Sequence, residues 1–226
     1  MSKNLRISAK SKKKVLLAVQ VSLFWPLYHG GILSMTRLNR IINRIRKGPF
    51  CAVTYCYKLN PQIFSNRYIN IEFCGYEILQ NQNCNQVLEI REDNIKNTFE
   101  KICTNQIVLI ARYNGMIAGH AVLKKPENSF AGRHWNKKAL IHYCYVSPQF
   151  RGRNIYPYMI TNLANIAFTK YKISEIYIFA DKNNLASQNG INKVGCIYDE
   201  TGYEFSWGGV SIVKYWQKDN RSPQVT

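Results

Sequence analysis

The sequence predicts a mixed α/β fold: a mainly antiparallel central sheet flanked by helices, with a basic helical N-terminal extension. Three stretches carry that prediction. "QIVLIARY" and "MIAGHAVL" flank Asn114-Gly115, a pair suited to positive φ, so residues 106–123 read as an antiparallel hairpin. "ALIHYCYV" at 139–146 is apolar without clean alternation, the pattern of a central strand covered on both faces. A turn, a helical pattern over 155–170, a strand at 175–180 and a helix near 184–194 follow it, so strands and covering helices alternate.

At 226 residues and 46% hydrophobic, the chain is long enough for one domain with a full core plus an appendage. The boundaries read as 1–49 for the extension, 50–217 for the domain and 218–226 for a polar tail. The net charge of +18 is unevenly placed: residues 1–71 hold thirteen Lys and Arg and no acidic residue. Such asymmetry points to an anionic partner.

"KSKKKVLLAVQVSLFWPLYHGGIL" places an apolar stretch behind a basic start, without a small-x-small cleavage site after it. Val15 to Tyr28 is short for a membrane span and is interrupted by Gln20, Ser22 and Pro26. Residues 1–48 therefore read either as a segment lying on an anionic membrane surface or as a helix packed on the domain. Basic residues here alternate with large apolar ones and match no nucleic-acid module, which argues against specific nucleic-acid binding. The expected location is cytoplasmic, peripheral at the inner membrane face.

Residues 36–47 put Leu38, Ile41, Ile42 and Ile45 on one helical face, and Gly48-Pro49 ends that helix. "FCAVTYCY" and "YINIEFCGYEIL", between 50 and 79, are rich in aromatic and β-branched residues and read as strands. A strand at 86–91 and a helix at 93–104 precede the hairpin, and two strands within 195–216 close the domain. Seven cysteines include no C-x-x-C pair and no Cys/His cluster with zinc spacing, which fits reduced core thiols and no metal.

The turn "VSPQFRGRNIYPYMI" stands between the central strand and the next helix. Its backbone N–H groups, the positive end of the helix dipole and Arg151 and Arg153 suit a phosphate group, with Gly152 permitting close approach. The other reading is an ordinary strand–helix connection with surface arginines. Some thirty residues later, "NNLASQNGINKVGC" (183–196) places an Asn after a strand and Lys-x-Gly at a helix end.

With these two motifs in this order, residues 86–216 resemble the GNAT superfamily of acyl-CoA-dependent N-acetyltransferases. Gln149, Gly152 and Asn154 stand where the family's phosphate loop has Gln or Arg, Gly, and Gly or Ala. The extension and the "RGRNIYPYMI" stretch also look like GNAT-like proteins of surface-polysaccharide gene clusters. The resemblance implies acetyl-CoA as co-substrate and direct attack of a small amine on the thioester, an amino sugar of a surface-polysaccharide pathway being the expected acceptor. The alternative is a non-catalytic GNAT-like module that associates with membrane or protein partners. By position, Tyr145 and Val146 would pair their backbone with the pantetheine arm. Amides around Arg151, Gly152, Arg153, Asn154 and Ile155 would hold the pyrophosphate, and Asn184 would bond the pantetheine chain with Ser187 near it.

Two positions depart from the family. Asn154 replaces a small residue, although Asn tolerates left-handed backbone and can cap the following helix. Ile191 stands where many members carry a Tyr general acid, seven residues after the Asn. For the base, His142 on the central strand is the candidate, with a parity matching Cys144 and Val146; a hydrogen-bonded core histidine is the other reading. His120 is a second candidate. Tyr203 and Glu204 either line an acceptor pocket or belong to a closing hairpin.

Overall fold

The Asn114-Gly115 pair turns the chain as its residues require, with φ of 48° and 78°. Around it, β3 (Ile107–Tyr113) and β4 (Met116–Lys124) pair antiparallel. The computed structural model describes residues 49–64, 69–79, 106–125, 136–207 and 210–218. The expected extension to residue 48, the strand at 86–91, the helix at 93–104 and most of the tail lie outside the described residues.

The chain divides into two compact units. The larger is built on Tyr55–Glu200, the smaller on residues up to Thr54 together with Thr201–Gln217. In the larger unit the strands are hydrogen-bonded in the order β2-β3-β4-β5-β6-β1-β7. Here β2 is Cys74–Leu79, β5 is Lys138–Val146 and β6 is Glu175–Asp181. β1 (Pro49–Leu59) and β7 (Ile197–Trp207) contribute residues to both units. β2 through β5 are antiparallel neighbours, while β5 and β6 run parallel. The sheet is thus mixed and mainly antiparallel. In the smaller unit, β7 from Thr201 forms an antiparallel hairpin with β8 (Val210–Gln217).

The second of the two early strands is shorter than the aromatic run suggested. It starts only at Cys74, because Glu72 and Phe73 form a turn in which Phe73 takes a φ of 61°. That turn is tied down by the Cys74 amide on the Ile71 carbonyl (3.2 Å) and by the Asn114 amide on the Phe73 carbonyl (3.1 Å).

Helix α1 (Ile155–Thr169) covers one face of the sheet. Ile155, Met159, Ile160, Leu163, Ala164 and Ala167 recur at helical spacing and pack with Leu109, Leu123 and Ile141 of β3, β4 and β5. Each large apolar side chain buried in this way contributes about 1.5–3 kcal/mol. Two polar residues are buried with them. Thr161 donates to the Pro157 carbonyl (2.8 Å) and Asn162 to the Tyr158 carbonyl (2.9 Å), so neither donor is stranded. Helix α2 (Leu185–Val194) packs on α1 and ends at Gly195, whose φ of 89° fits a left-handed cap.

Candidate active site

Parallel pairing between β5 and β6 covers only Lys138–Ile141 against Glu175–Ile178. Beyond it β5 and β6 are no longer paired with one another, and a cleft of about 860 Å³ opens there. Residues 142–146 and 179–181 form its two walls, the 150–154 turn and the start of α1 close one end, and α2 lies over it. The volume is at the upper end of the range for small-molecule sites.

A β-bulge shapes the β5 wall. On β4, His120 and Val122 are two residues apart, yet their partners Tyr145 and His142 are three apart. The extra residue falls at Tyr143-Cys144, where Tyr143 takes a φ of 48°. This overturns the expected parity of His142. It shares a face with Tyr145, not with Cys144 and Val146, because the bulge inverts the alternation between them. Gly119 lets the strands approach at this point: a Cβ there would overlap the Tyr145 carbonyl oxygen and lie 3.3 Å from both Met159 Cε and Val146 Cα.

The turn after β5 is anchored before it curls. Ser147 donates its amide to the Ala118 carbonyl (2.9 Å), Pro148–Phe150 form a single 3-10 turn, and the Phe150 ring is buried. The Arg151 amide is committed to the Pro148 carbonyl (3.2 Å), which removes it from the expected pyrophosphate set. The amides of Gly152, Arg153, Asn154 and Ile155 have no acceptor among the described residues. Gly152 (φ 79°) and Asn154 (φ 58°) are both left-handed, so the backbone curls around the N-terminus of α1. Four donors without an acceptor at the positive end of a helix are an arrangement suited to an anion.

The side chains around this loop differ from expectation. Asn154 adopts the left-handed conformation but does not cap α1. Its Oδ1 instead accepts from Lys193 Nζ at 2.8 Å, which brings a cation from the end of α2 to the loop. Arg153 turns away: its guanidinium lies 5.0 Å from the centre of the Tyr113 ring and donates to the Tyr113 hydroxyl (3.2 Å). Arg151 lines the cleft, with Nε donating to the Val146 carbonyl (3.3 Å). The positive charge at the loop therefore comes from Arg151 and Lys193. Lys193 was legible only as part of the Lys-x-Gly signal, with no hint that it crosses to the loop.

On the α2 side, Asn184 caps the helix, its Oδ1 accepting from the Ser187 amide (3.0 Å). That leaves its side-chain NH₂ for a ligand. Ser187 Oγ is hydrogen-bonded to the hydroxyl of Tyr156 (2.9 Å), a residue the sequence reading passed over. The Tyr156 ring fits because residue 190 is glycine; a Cβ there would overlap Tyr156 Cδ1. Ile191, the position expected to hold a proton donor, is fully buried in the core.

His142 lines the cleft and its Nε2 bonds Gln106 Oε1 at 2.6 Å. Burial, with a smaller push from the Lys124 cation, lowers its pKa from 6.5 to about 4, so the ring is neutral at pH 7. His120 is fully buried, its ring stacked 5.9 Å from that of Tyr145, and it does not line the cleft. Tyr203 stacks on Tyr215 (4.9 Å) and Glu204 pairs with Lys214 (3.5 Å), which is the closing-hairpin reading of those residues. Cys144, half-buried in the cleft wall, has its thiol pushed up to about 12 by burial.

No curated protein matches the sequence. Solved structures share the fold at low identity. A functionally unknown conserved protein from Staphylococcus epidermidis ATCC 12228 superimposes with a TM-score of 0.51 at 12% identity, over 77% of this chain and 67% of its own. A GCN5-related N-acetyltransferase from Sphaerobacter thermophilus gives 0.51 at 12%, over 79% and 57%. A tandem GNAT protein from the clavulanic acid biosynthesis pathway gives 0.53 at 12%, over 81% and 62%. This chain thus spans less than two thirds of the length of the last two. The Acetyltransferase (GNAT) family model matches residues 75–195, more than half of the chain, and takes in the hairpin, the splayed strands, the loop and α2 together. The chain belongs to the GNAT family of acetyltransferases.

Proposed function

We propose that this protein transfers the acetyl group of acetyl-CoA to the amine of a small molecule within the β5–β6 cleft. The observation that carries this reading is the set of four amides without an acceptor among the described residues, Gly152 to Ile155, at the closed end of the cleft that opens where the β5–β6 pairing stops. A diphosphate bound there would accept from the four amides and meet the Arg151 and Lys193 cations. The amide-bearing arm of the co-substrate would run along Tyr145 and Val146, with the Asn184 NH₂ as a side-chain donor. The chemistry supplied by acetyl-CoA is an activated acyl carbon; the protein's part is to hold it beside the amine and keep water out.

Neutral His142 is a group on the cleft wall able to take a proton. With Nε2 donating to Gln106, its Nδ1 lone pair is left as acceptor. A pKa of about 4 makes it a weak base, so it serves best by orienting the amine or a water. The acceptor class we propose is an amino sugar of a surface-polysaccharide pathway. Residues 1–48, read from sequence as either a membrane-surface segment or a helix packed on the domain, lie outside the described residues; among the described residues no helix is long and apolar enough to cross a membrane.

Turnover of acetyl-CoA against a panel of amino sugars, aminoglycosides and polyamines tests this reading. Acetylation of at least one amine, with release of one CoA per amide formed, is expected. CoA binding without turnover on any amine would instead support the non-catalytic module.

A further inference from the structure

The β5–β6 register orients the cleft. Both strands run toward the loop, and their last paired residues are Ile141 and Ile178. The walls part just beyond, at His142 and Tyr143 on β5 and Phe179 on β6, all three of which line the cleft. This narrow end is the one remote from the Gly152–Ile155 amides. Among the residues of β5, Tyr143 alone is exposed, at 40%, while the others are buried or half-buried. Its ring centre lies 4.8 Å from that of His142, the two planes tilted by 56°.

The bulge is what presents this ring. It sets an extra residue into β5 at Tyr143-Cys144, and bulges of this kind re-aim a side chain. Tyr143 takes its φ of 48° in a left-handed region that a bulky L-residue enters at a cost. Glycine or asparagine would adopt it more cheaply. A backbone outlier kept in a cleft wall points to a use for the side chain it carries.

We infer that Tyr143 is the acceptor platform: its ring packs on the C–H face of a pyranose amino sugar and holds the amine beside His142. This rests on the acetyltransferase reading. A diphosphate on the loop amides sends the acyl end of the co-substrate along Val146 and Tyr145 toward the narrow end. From Val146 to Tyr143 is at most about 10 Å of strand. The acceptor has to meet the thioester at that end, where Tyr143 offers an exposed aromatic surface. The face of an aromatic ring is electron-rich, so it favours a flat surface of outward-pointing C–H groups, which a pyranose has and a linear amine lacks. An amine that arrives protonated is drawn to the same face. Tyr143 thereby selects for cyclic amino sugars over open-chain amines.

Tyr143→Asn and Tyr143→Phe in the full chain test this, with circular dichroism confirming the fold. Asn removes the ring yet accepts left-handed backbone, and Phe keeps the ring without the hydroxyl. The first readout needs no turnover: calorimetric titration of glucosamine into protein saturated with CoA. The wild type should bind it saturably, Tyr143→Asn about tenfold more weakly, and Tyr143→Phe should restore binding to within about twofold. The second readout is acetylation of glucosamine. In Tyr143→Asn, KM for glucosamine should rise about tenfold, with kcat and KM for acetyl-CoA within about twofold, because a platform contributes binding and not chemistry. Glucosamine binding and KM unchanged in a folded Tyr143→Asn protein would overturn the platform alone. So would a wild type that acetylates an open-chain amine but neither binds nor acetylates glucosamine. Failure of the wild type to bind CoA would remove the platform together with the acetyltransferase reading.

Discussion

Lowering the pH should destabilise this protein through His142, by an amount the structure bounds. Folding places the imidazole in the wall of the cleft against Gln106 and lowers its pKa from 6.5 to about 4. The unfolded chain therefore binds the proton more tightly than the folded one between these values. The contribution of neutral His142 is fully present above pH 6.5 and is lost as the pH falls towards 4. At 1.36 kcal/mol per pH unit the loss reaches about 3 kcal/mol near pH 4, with about 2 kcal/mol gone by pH 5. Urea unfolding of the wild type and of His142→Asn at pH 7.5, 6 and 5 isolates the effect. The stability difference between the two proteins should shrink or reverse by about 2 kcal/mol over that interval. A difference independent of pH would refute the reasoning, and so would an imidazole titration near 6.5 by NMR in the folded protein.

Three substitutions probe the geometry around the cleft. Gly119→Ala should cost about 1–3 kcal/mol in urea unfolding, because its Cβ meets the Tyr145 carbonyl, a backbone atom that cannot yield without moving β5. Gly152→Ala meets no steric neighbour but must adopt a φ of 79°, which costs about 1–2 kcal/mol for an L-residue or shifts the loop; CoA affinity by calorimetry should fall about tenfold while the core is untouched. Lys193→Met removes the cation held by Asn154, and CoA affinity should fall about tenfold with a shallower salt dependence of binding.

Much of the sheet was legible because local signals agreed with tertiary ones. Asn114-Gly115 fixed the hairpin, and the apolar run at 139–146 marked a strand inside the sheet, paired with β4 on one edge and, over Lys138–Ile141, with β6 on the other. The loop was legible from Gly152 and the helix start behind it, since a turn with this need for positive φ has few other residues to choose. What escaped was set by long-range contact. The bulge at Tyr143-Cys144 carries no glycine, so nothing local announced the change of face that moves His142. Asn154 looked like a helix cap, yet its oxygen is taken by Lys193, thirty-nine residues away. Tyr156 read as an ordinary helix residue, and the clue was Gly190, a glycine inside a helix where such residues are costly without a packing reason. Early strand residues before Cys74 failed because aromatic content outweighed a turn that only its hydrogen bonds reveal.

The central claim is that the four amides of Gly152 to Ile155 and the cleft beside them hold acetyl-CoA. Calorimetric titration of the full chain with acetyl-CoA, CoA and desulfo-CoA tests it most directly. The account predicts saturable one-to-one binding of all three, competition among them, and weakened binding in Gly152→Ala. Absence of binding by all three at millimolar concentration, or binding indifferent to Gly152→Ala, would contradict it.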